Sequence, residues 1–264
     1  MLSAQSLQLT FNPGTPIQTH ALRGLSLDIP SGQFVTVIGS NGAGKSTFLN
    51  AISGDQDIDE GHILLDGEDI TRQPVWVRAR KVARVFQDPM AGTCENLTIE
   101  ENMSLAFGRG QFRSLRSAVR AEMRELFRER LAMLGLGLEG RLSDRIGLLS
   151  GGQRQAVSLL MAALRPSRIL LLDEHTAALD PRTAQFVLEL TARLVSEHHL
   201  TTMMVTHSMR QALDVGDRTI MLHQGCVVLD VQGEARRGLD VQDLLVMFER
   251  VRGEKVSDDS LLLG

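Results

Sequence analysis

Nine consecutive residues, Gly39-Ser40-Asn41-Gly42-Ala43-Gly44-Lys45-Ser46-Thr47, constrain this chain more than any other feature. They satisfy the pattern G-x-x-x-x-G-K-[ST]. Before them runs Phe34 to Ile38, β-branched and apolar on both faces, as an interior strand of a parallel sheet should be. After them Phe48, Leu49 and Ile52 fall at helical spacing, and Gly54 closes the pattern. Glycines in such a turn let backbone N–H groups curl around phosphate oxygens without Cβ clashes, and the following helix presents its positive end. In that setting Lys45 reaches the β and γ phosphates and the Ser46 hydroxyl is a ligand for Mg²⁺.

The flanking pattern predicts an α/β fold. Ser6 to Phe11 and Leu25 to Ile29 alternate as strands, with a loop at Asn12-Pro13-Gly14 and Pro16. Gly61 to Leu65, followed by Asp66-Gly67, reads as a hairpin arm, and Val82 to Phe86 as a further strand. From about Thr98 to Leu164 the strand signal is replaced by Leu115, Val119, Met123, Leu126 and Leu134 at steps of three and four, which predicts a helical insert. Strand signals return at Ile169 to Leu172, Thr202 to Val205 and Thr219 to Leu222, with a helix over Pro181 to His198. That alternation predicts a mainly parallel sheet with helices on both sides. A last helix over Val241 to Val251 should start at an Asp240 N-cap, and the tail after it should fray.

Four further groups carry chemistry. Ser150 and Gln153, three residues apart ahead of Val157, Leu160, Met161 and Leu164, make a capping box. Between them Gly151 and Gly152 each cost about 1 kcal/mol inside a helix, which makes sense if a phosphate approaches that backbone. Ile169 to Leu172 runs into Asp173-Glu174, two carboxylates at the C-terminal end of a buried strand, where ligands of open α/β sheets bind. Asp173 suits Mg²⁺ and Glu174 a general base. Gln87 and His207 each follow a strand and would project onto the same edge.

Gly39 to Thr47, Gln87, Leu149 to Gln153, Asp173-Glu174, Ala178-Leu179-Asp180 and His207 resemble, in order and spacing, the ATP-binding subunits of ABC transporters. The resemblance spans about Ser6 to Leu229. It implies a P-loop NTPase (RecA-like) core with an antiparallel β subdomain and an inserted α-helical subdomain. One domain would then cover 1–250, with its core at about 1–90 and 165–235, its helical part at about 91–164 and a tail at 251–264. It further implies that Glu174, His207, Gln87 and Lys45 are catalytic and that Ser46, Gln87 and Asp173 hold Mg²⁺. ATP would be bound by the P-loop, by Ser150, Gly151, Gly152 and Gln153 of a second copy, by Asp180, and by Phe11 in the place where the family stacks an aromatic on adenine. A core position for Phe11 is the alternative reading. The implied partners are a second copy, transmembrane permease subunits and a substrate-binding protein, with no nucleic acid. The implied place is the cytoplasmic, inner face of the plasma membrane.

One residue departs from the family pattern: between Glu174 and Thr176 stands His175 where proline is usual. It could loosen that loop, add a titratable group or change nothing, and a His175→Pro variant is expected to stay active.

Composition is compatible with this reading. A formal charge of −4 gives no field for a polyanion, so nucleic-acid binding would need a local basic patch. Such a stretch, Arg113, Arg116, Arg120, Arg124 and Arg128, is interleaved with Glu122, Glu125 and Glu129, which favours a solvated face with ion pairs over contact with lipid or permease. Cys94 and Cys226 have no metal-site or disulfide spacing. Met1 to Thr10 is no secretory leader, and no run approaches the ~20 apolar residues of a membrane span.

The alternatives are a soluble ABC ATPase of DNA repair or translation, an exporter ATPase, and a nucleotide sensor. Lys45 to Ser150 is too short for the coiled coil of repair types, and one module replaces the two of translation types. A sensor would be expected to lack Glu174 or His207. The Ser40 to Ala43 loop and Glu174-His175-Thr176 lean toward ATPases of bacterial amino-acid importers.

Overall fold

The computed structural model describes residues 1–111 and 121–252. A four-stranded antiparallel sheet has the order β2-β1-β4-β5, from β1 (Leu2–Phe11), β2 (Thr19–Ile29), β4 (Glu60–Leu65) and β5 (Glu68–Asp69). A six-stranded sheet has the order β10-β9-β3-β8-β7-β6. Its strands are β3 (Phe34–Ile38), β6 (Val82–Val85), β7 (Ile169–Asp173), β8 (Thr202–Val205), β9 (Arg218–His223) and β10 (Cys226–Gln232). All its pairs are parallel except β9 with β10. The helices are α1 (Lys45–Ser53), α2 (Val75–Arg78), α3 (Ile99–Phe107), α4 (Ala121–Ala132), α5 (Gly151–Ala163), α6 (Pro181–His198), α7 (Met209–Asp214) and α8 (Val241–Arg252).

The continuous apolar runs divide strictly by parity, as the period of two along a strand demands. Ile169, Leu171, Met203 and Val205 join Phe48, Leu49 and the inner face of the four-stranded sheet in one buried cluster. Leu170, Leu172 and Met204 face the other way, into a cluster with Ile99, Met103, Phe127, Leu131, Val157 and Leu188. Helices therefore lie on both sides of the sheet, as expected: α3, α4, α5 and α6 on one face, and on the other α1, which shares that face with the antiparallel sheet, where the strands of the N-terminal third bury their alternating side.

The helical insert is present, and its buried α4 face is centred on Phe127 and Leu131, with Met123 and Leu126 only partly buried. Leu115, Val119, Arg113, Arg116 and Arg120 lie outside the described residues, as does the tail from 253. Arg124 forms a bidentate pair with Glu100 of α3, at 2.6 and 2.9 Å, and Arg128 pairs with Glu125 at 3.1 Å. The described part of the basic stripe is therefore ion-paired. Asp240 caps α8 by accepting from the backbone N–H of Asp243 at 2.9 Å.

Candidate nucleotide site

Register brings the chemistry to one edge. Val37 of β3 and Asp173 of β7 both align with Val205 of β8, and Leu172 aligns with Val85 of β6. The P-loop, His207, Asp173-Glu174 and Gln87 therefore leave the sheet at the same C-terminal level.

The loop glycines are required by shape. A Cβ at Gly39 would lie 2.3 Å from the carbonyl oxygen of Leu222, and one at Gly44 would lie 2.5 Å from that of Ala21. Gly42 and Gly44 also take φ of +74° and +99°, a region costly for other residues. Among the described residues no side chain caps α1, so its first-turn N–H groups remain available to an anion. The Lys45 ammonium donates to the carbonyls of Gly39 (2.7 Å) and Ser40 (3.0 Å). Burial pushes the Lys45 pKa down, and the charges of Glu174 and Asp173 partly offset this. Two of its three N–H groups are engaged in this way, which leaves one free to donate.

Glu174 holds φ +46°, a left-handed conformation uncommon for a residue with a side chain. Its backbone N–H donates to the carbonyl of Val205 at 3.0 Å. This turn carries the carboxylate toward β8, where Nε2 of His207 lies 2.7 Å from Oε1 of Glu174.

The remaining predicted residues are distributed as follows. Gln87 and Ser46 are exposed, and the Ser46 hydroxyl makes no hydrogen bond among the described residues. Phe11 is 37% exposed at the end of β1, so it is no core residue. Its register partner Thr19 stands two residues from Ala21, whose carbonyl lies against Gly44. Asp180 accepts from the backbone N–H of Thr183 at 3.1 Å as the N-cap of α6, and the Thr183 hydrogen bonds hold its carboxyl below the usual range. The capping box is formed: Ser150 accepts from Gln153 N–H at 3.3 Å, and Gln153 from Ser150 N–H at 3.2 Å. Both hydrogen bonds close locally, and neither reaches the P-loop.

The two glycines of that turn have different reasons. Gly151 is exposed, and a Cβ there would meet only Leu179, at 3.8 Å. At Gly152 a Cβ would stand 2.0 Å from Cγ2 of Thr183. Close packing on α6 dictates Gly152, whereas the backbone at Gly151 is left open.

Sequence reasoning missed three supporting residues. Arg84 of β6 pairs with Asp173 at 2.7 Å, and the signal was a charge inside an otherwise apolar strand. Gln211 of α7 accepts through Oε1 from Thr176 (3.2 Å) and Thr206 (3.0 Å), tying the segment after Glu174 to the residue before His207. Thr191 of α6 lies 2.9 Å from Nε2 of His175 and donates to the carbonyl of Val187 at 2.8 Å, so His175 donates in turn to Thr191. His175 is buried, and burial pushes its pKa down to about 4.

The donors suit a nucleotide and a hard cation. Free N–H groups and Lys45 fit phosphates, while a hydroxyl and a carboxylate are oxygen ligands of the kind Mg²⁺ prefers. Among the described residues no cluster of three or more His, Cys, Asp or Glu could hold a metal alone. Phosphate oxygens and water would complete its shell.

Residues 22–177 match the model of the family described as ABC transporter. The tyrosine transport ATP-binding protein of Clostridioides difficile is 46% identical over 251 residues, covering 94% of this chain and 99% of that one. The phosphonates import ATP-binding protein of Alcaligenes faecalis is 32% identical, covering 98% and 95%. The sulfate/thiosulfate import ATP-binding protein of Acinetobacter baylyi is 39% identical, but this chain spans only 57% of its length. Among solved structures, a dimeric ATP-binding cassette in a post-hydrolysis state bound to ADP and Pi superposes with a TM-score of 0.76 at 30% identity. The match covers 90% of this chain and all of that one.

Proposed function

Since the chain belongs to the ABC transporter family, we propose that two copies close head to tail over ATP, each completing the other's site with its Ser150 to Gln153 turn. The chain is an ATP-hydrolysing subunit that powers solute import. The observation that carries the composite site is the exposed turn at Ser150 and Gly151, a helix N-terminus with open backbone and no bond to its own P-loop.

In the closed site Lys45 and the N–H groups of the P-loop hold the β and γ phosphates, and Phe11 stacks on adenine. Glu174 takes the proton of the attacking water. His207 donates a hydrogen bond to the γ-phosphate as charge develops there. Ser46, Asp173 and Gln87 would hold Mg²⁺, which when bound would neutralise phosphate charge.

The finer reading is import of an amino acid. The likeness to a tyrosine transport protein along almost the whole of both chains supports it. The partners are a transmembrane permease, met by the loop after Gln87, and a substrate-binding protein, and the chain works at the inner membrane face. No described helix is long and apolar enough to cross a membrane.

A Glu174→Gln variant should bind Mg-ATP, lose turnover and elute as a dimer. A variant that binds ATP yet stays monomeric counts against head-to-tail closure. For the substrate, the permease that co-purifies from native membranes should take up a labelled aromatic amino acid in vesicles. Uptake of a different solute class contradicts the finer reading.

A further inference from the structure

Arg84 is a charged residue in β6, between the buried Ala83 and Val85. Its guanidinium forks: Nη2 donates to Oδ2 of Asp173 at 2.7 Å, and Nη1 donates to Oδ2 of Asp55 at 2.8 Å. Nη1 also reaches Oγ of Ser53 at 3.3 Å, and the guanidinium carbon stands 4.6 Å from the centre of the Phe86 ring. Its Nε is buried without a partner among the described residues. An unsatisfied buried donor is a cost, so hydrogen bonding alone does not account for arginine in this strand. Its charge beside Asp173 does.

We infer that Arg84 is a positioning residue that neutralises Asp173, so that the protein binds free divalent cations poorly and takes its metal together with the nucleotide. This rests on the reading of Asp173 as the metal-holding carboxylate. The groups around this position are Asp173, Asp55 and Glu174 on the negative side, and Arg84 and Lys45 on the positive. Arg84 shares its charge between two carboxylates, and Glu174 is engaged by His207. A dication arriving alone meets little net negative charge and a guanidinium at close range. A metal–triphosphate complex is a net anion, and Lys45 and Arg84 attract it.

Mn²⁺, whose paramagnetic resonance signal reports the free ion, is the probe. Without nucleotide, Arg84→Met keeps the aliphatic stem, removes the charge and should bind Mn²⁺ about tenfold more tightly than the natural chain. Adding Asp173→Asn to Arg84→Met should abolish that gain. A folded Arg84→Met protein whose Mn²⁺ affinity stays within about twofold of the natural chain overturns the inference. If Arg84→Met melts below the assay temperature, Asp55→Asn carries the test with opposite sign, since it leaves the guanidinium to Asp173 alone. Mn²⁺ binding without nucleotide should then weaken about threefold further, and an unchanged affinity overturns the inference. Asp173→Asn with ATP tests the underlying reading separately. If ATP-dependent Mn²⁺ binding survives there at full strength, Asp173 does not hold the metal, whatever Arg84 does.

Discussion

Oε1 of Glu174 and Nε2 of His207 lie 2.7 Å apart, although the two residues leave different strands. In the proposed mechanism this proximity pre-aligns the general base with the phosphate donor. His207→Ala should lower turnover about 10² to 10⁴-fold while ATP affinity changes little. Turnover and nucleotide titration measured on one preparation check this, and an unaltered rate contradicts the pairing.

Gln211 holds this pair from behind through Thr176 and Thr206. Because the shared atom is an acceptor, Gln211→Glu keeps both bonds and Gln211→Leu removes them. The Leu variant should lose about tenfold in kcat with KM for ATP nearly constant, by misplacement of Glu174 and His207. The Glu variant should recover most of it. Equal losses in the two variants would point to a packing role.

His175 supplies a pH signature. In the unfolded chain its pKa is near 6.5, and in the folded chain about 4. Above about pH 6.5 both states are neutral, and the contribution to stability is complete. As pH falls from 6.5 to 4 the unfolded state takes up the proton first, and about 3 kcal/mol of stability is lost. Melting of metal-free protein between pH 7 and 4.5 should fall more steeply than in His175→Gln, and identical slopes refute the assignment. His175→Pro loses one buried hydrogen bond, about 1 kcal/mol, and should retain turnover.

The signature glycines separate folding from catalysis. Gly152→Ala forces a methyl group into Thr183 and should destabilise the chain by about 1–3 kcal/mol, with recovery when Thr183→Ser removes the clashing methyl. Gly151→Ala should leave the melting temperature nearly unchanged and slow hydrolysis. Denaturation and turnover measured side by side decide it.

Much of this was legible in sequence because it is local. The P-loop, the capping box at Ser150 and the span of α6 each follow from residues within one turn or one strand. Which face the antiparallel sheet covers was not legible, because an apolar run such as Ile169 to Leu172 reads the same whichever layer packs on each face. Nor were the reasons for Gly152 and Asp180, which look like ligand contacts in a motif and are also a packing contact and a helix cap. Arg84, Gln211 and Thr191 act across strands and helices distant in sequence, and only the fold brings them to Asp173, Thr176 and His175.

The composite site is tested most directly by mixing two inactive chains. Lys45→Ala disables the P-loop and Ser150→Arg the turn that completes a partner's site, so each alone should hydrolyse almost no ATP. In the mixture, heterodimers unite an intact P-loop with an intact turn, and hydrolysis should return to a substantial fraction of the natural rate. A mixture as inactive as its components, or full turnover by Ser150→Arg alone, contradicts the account.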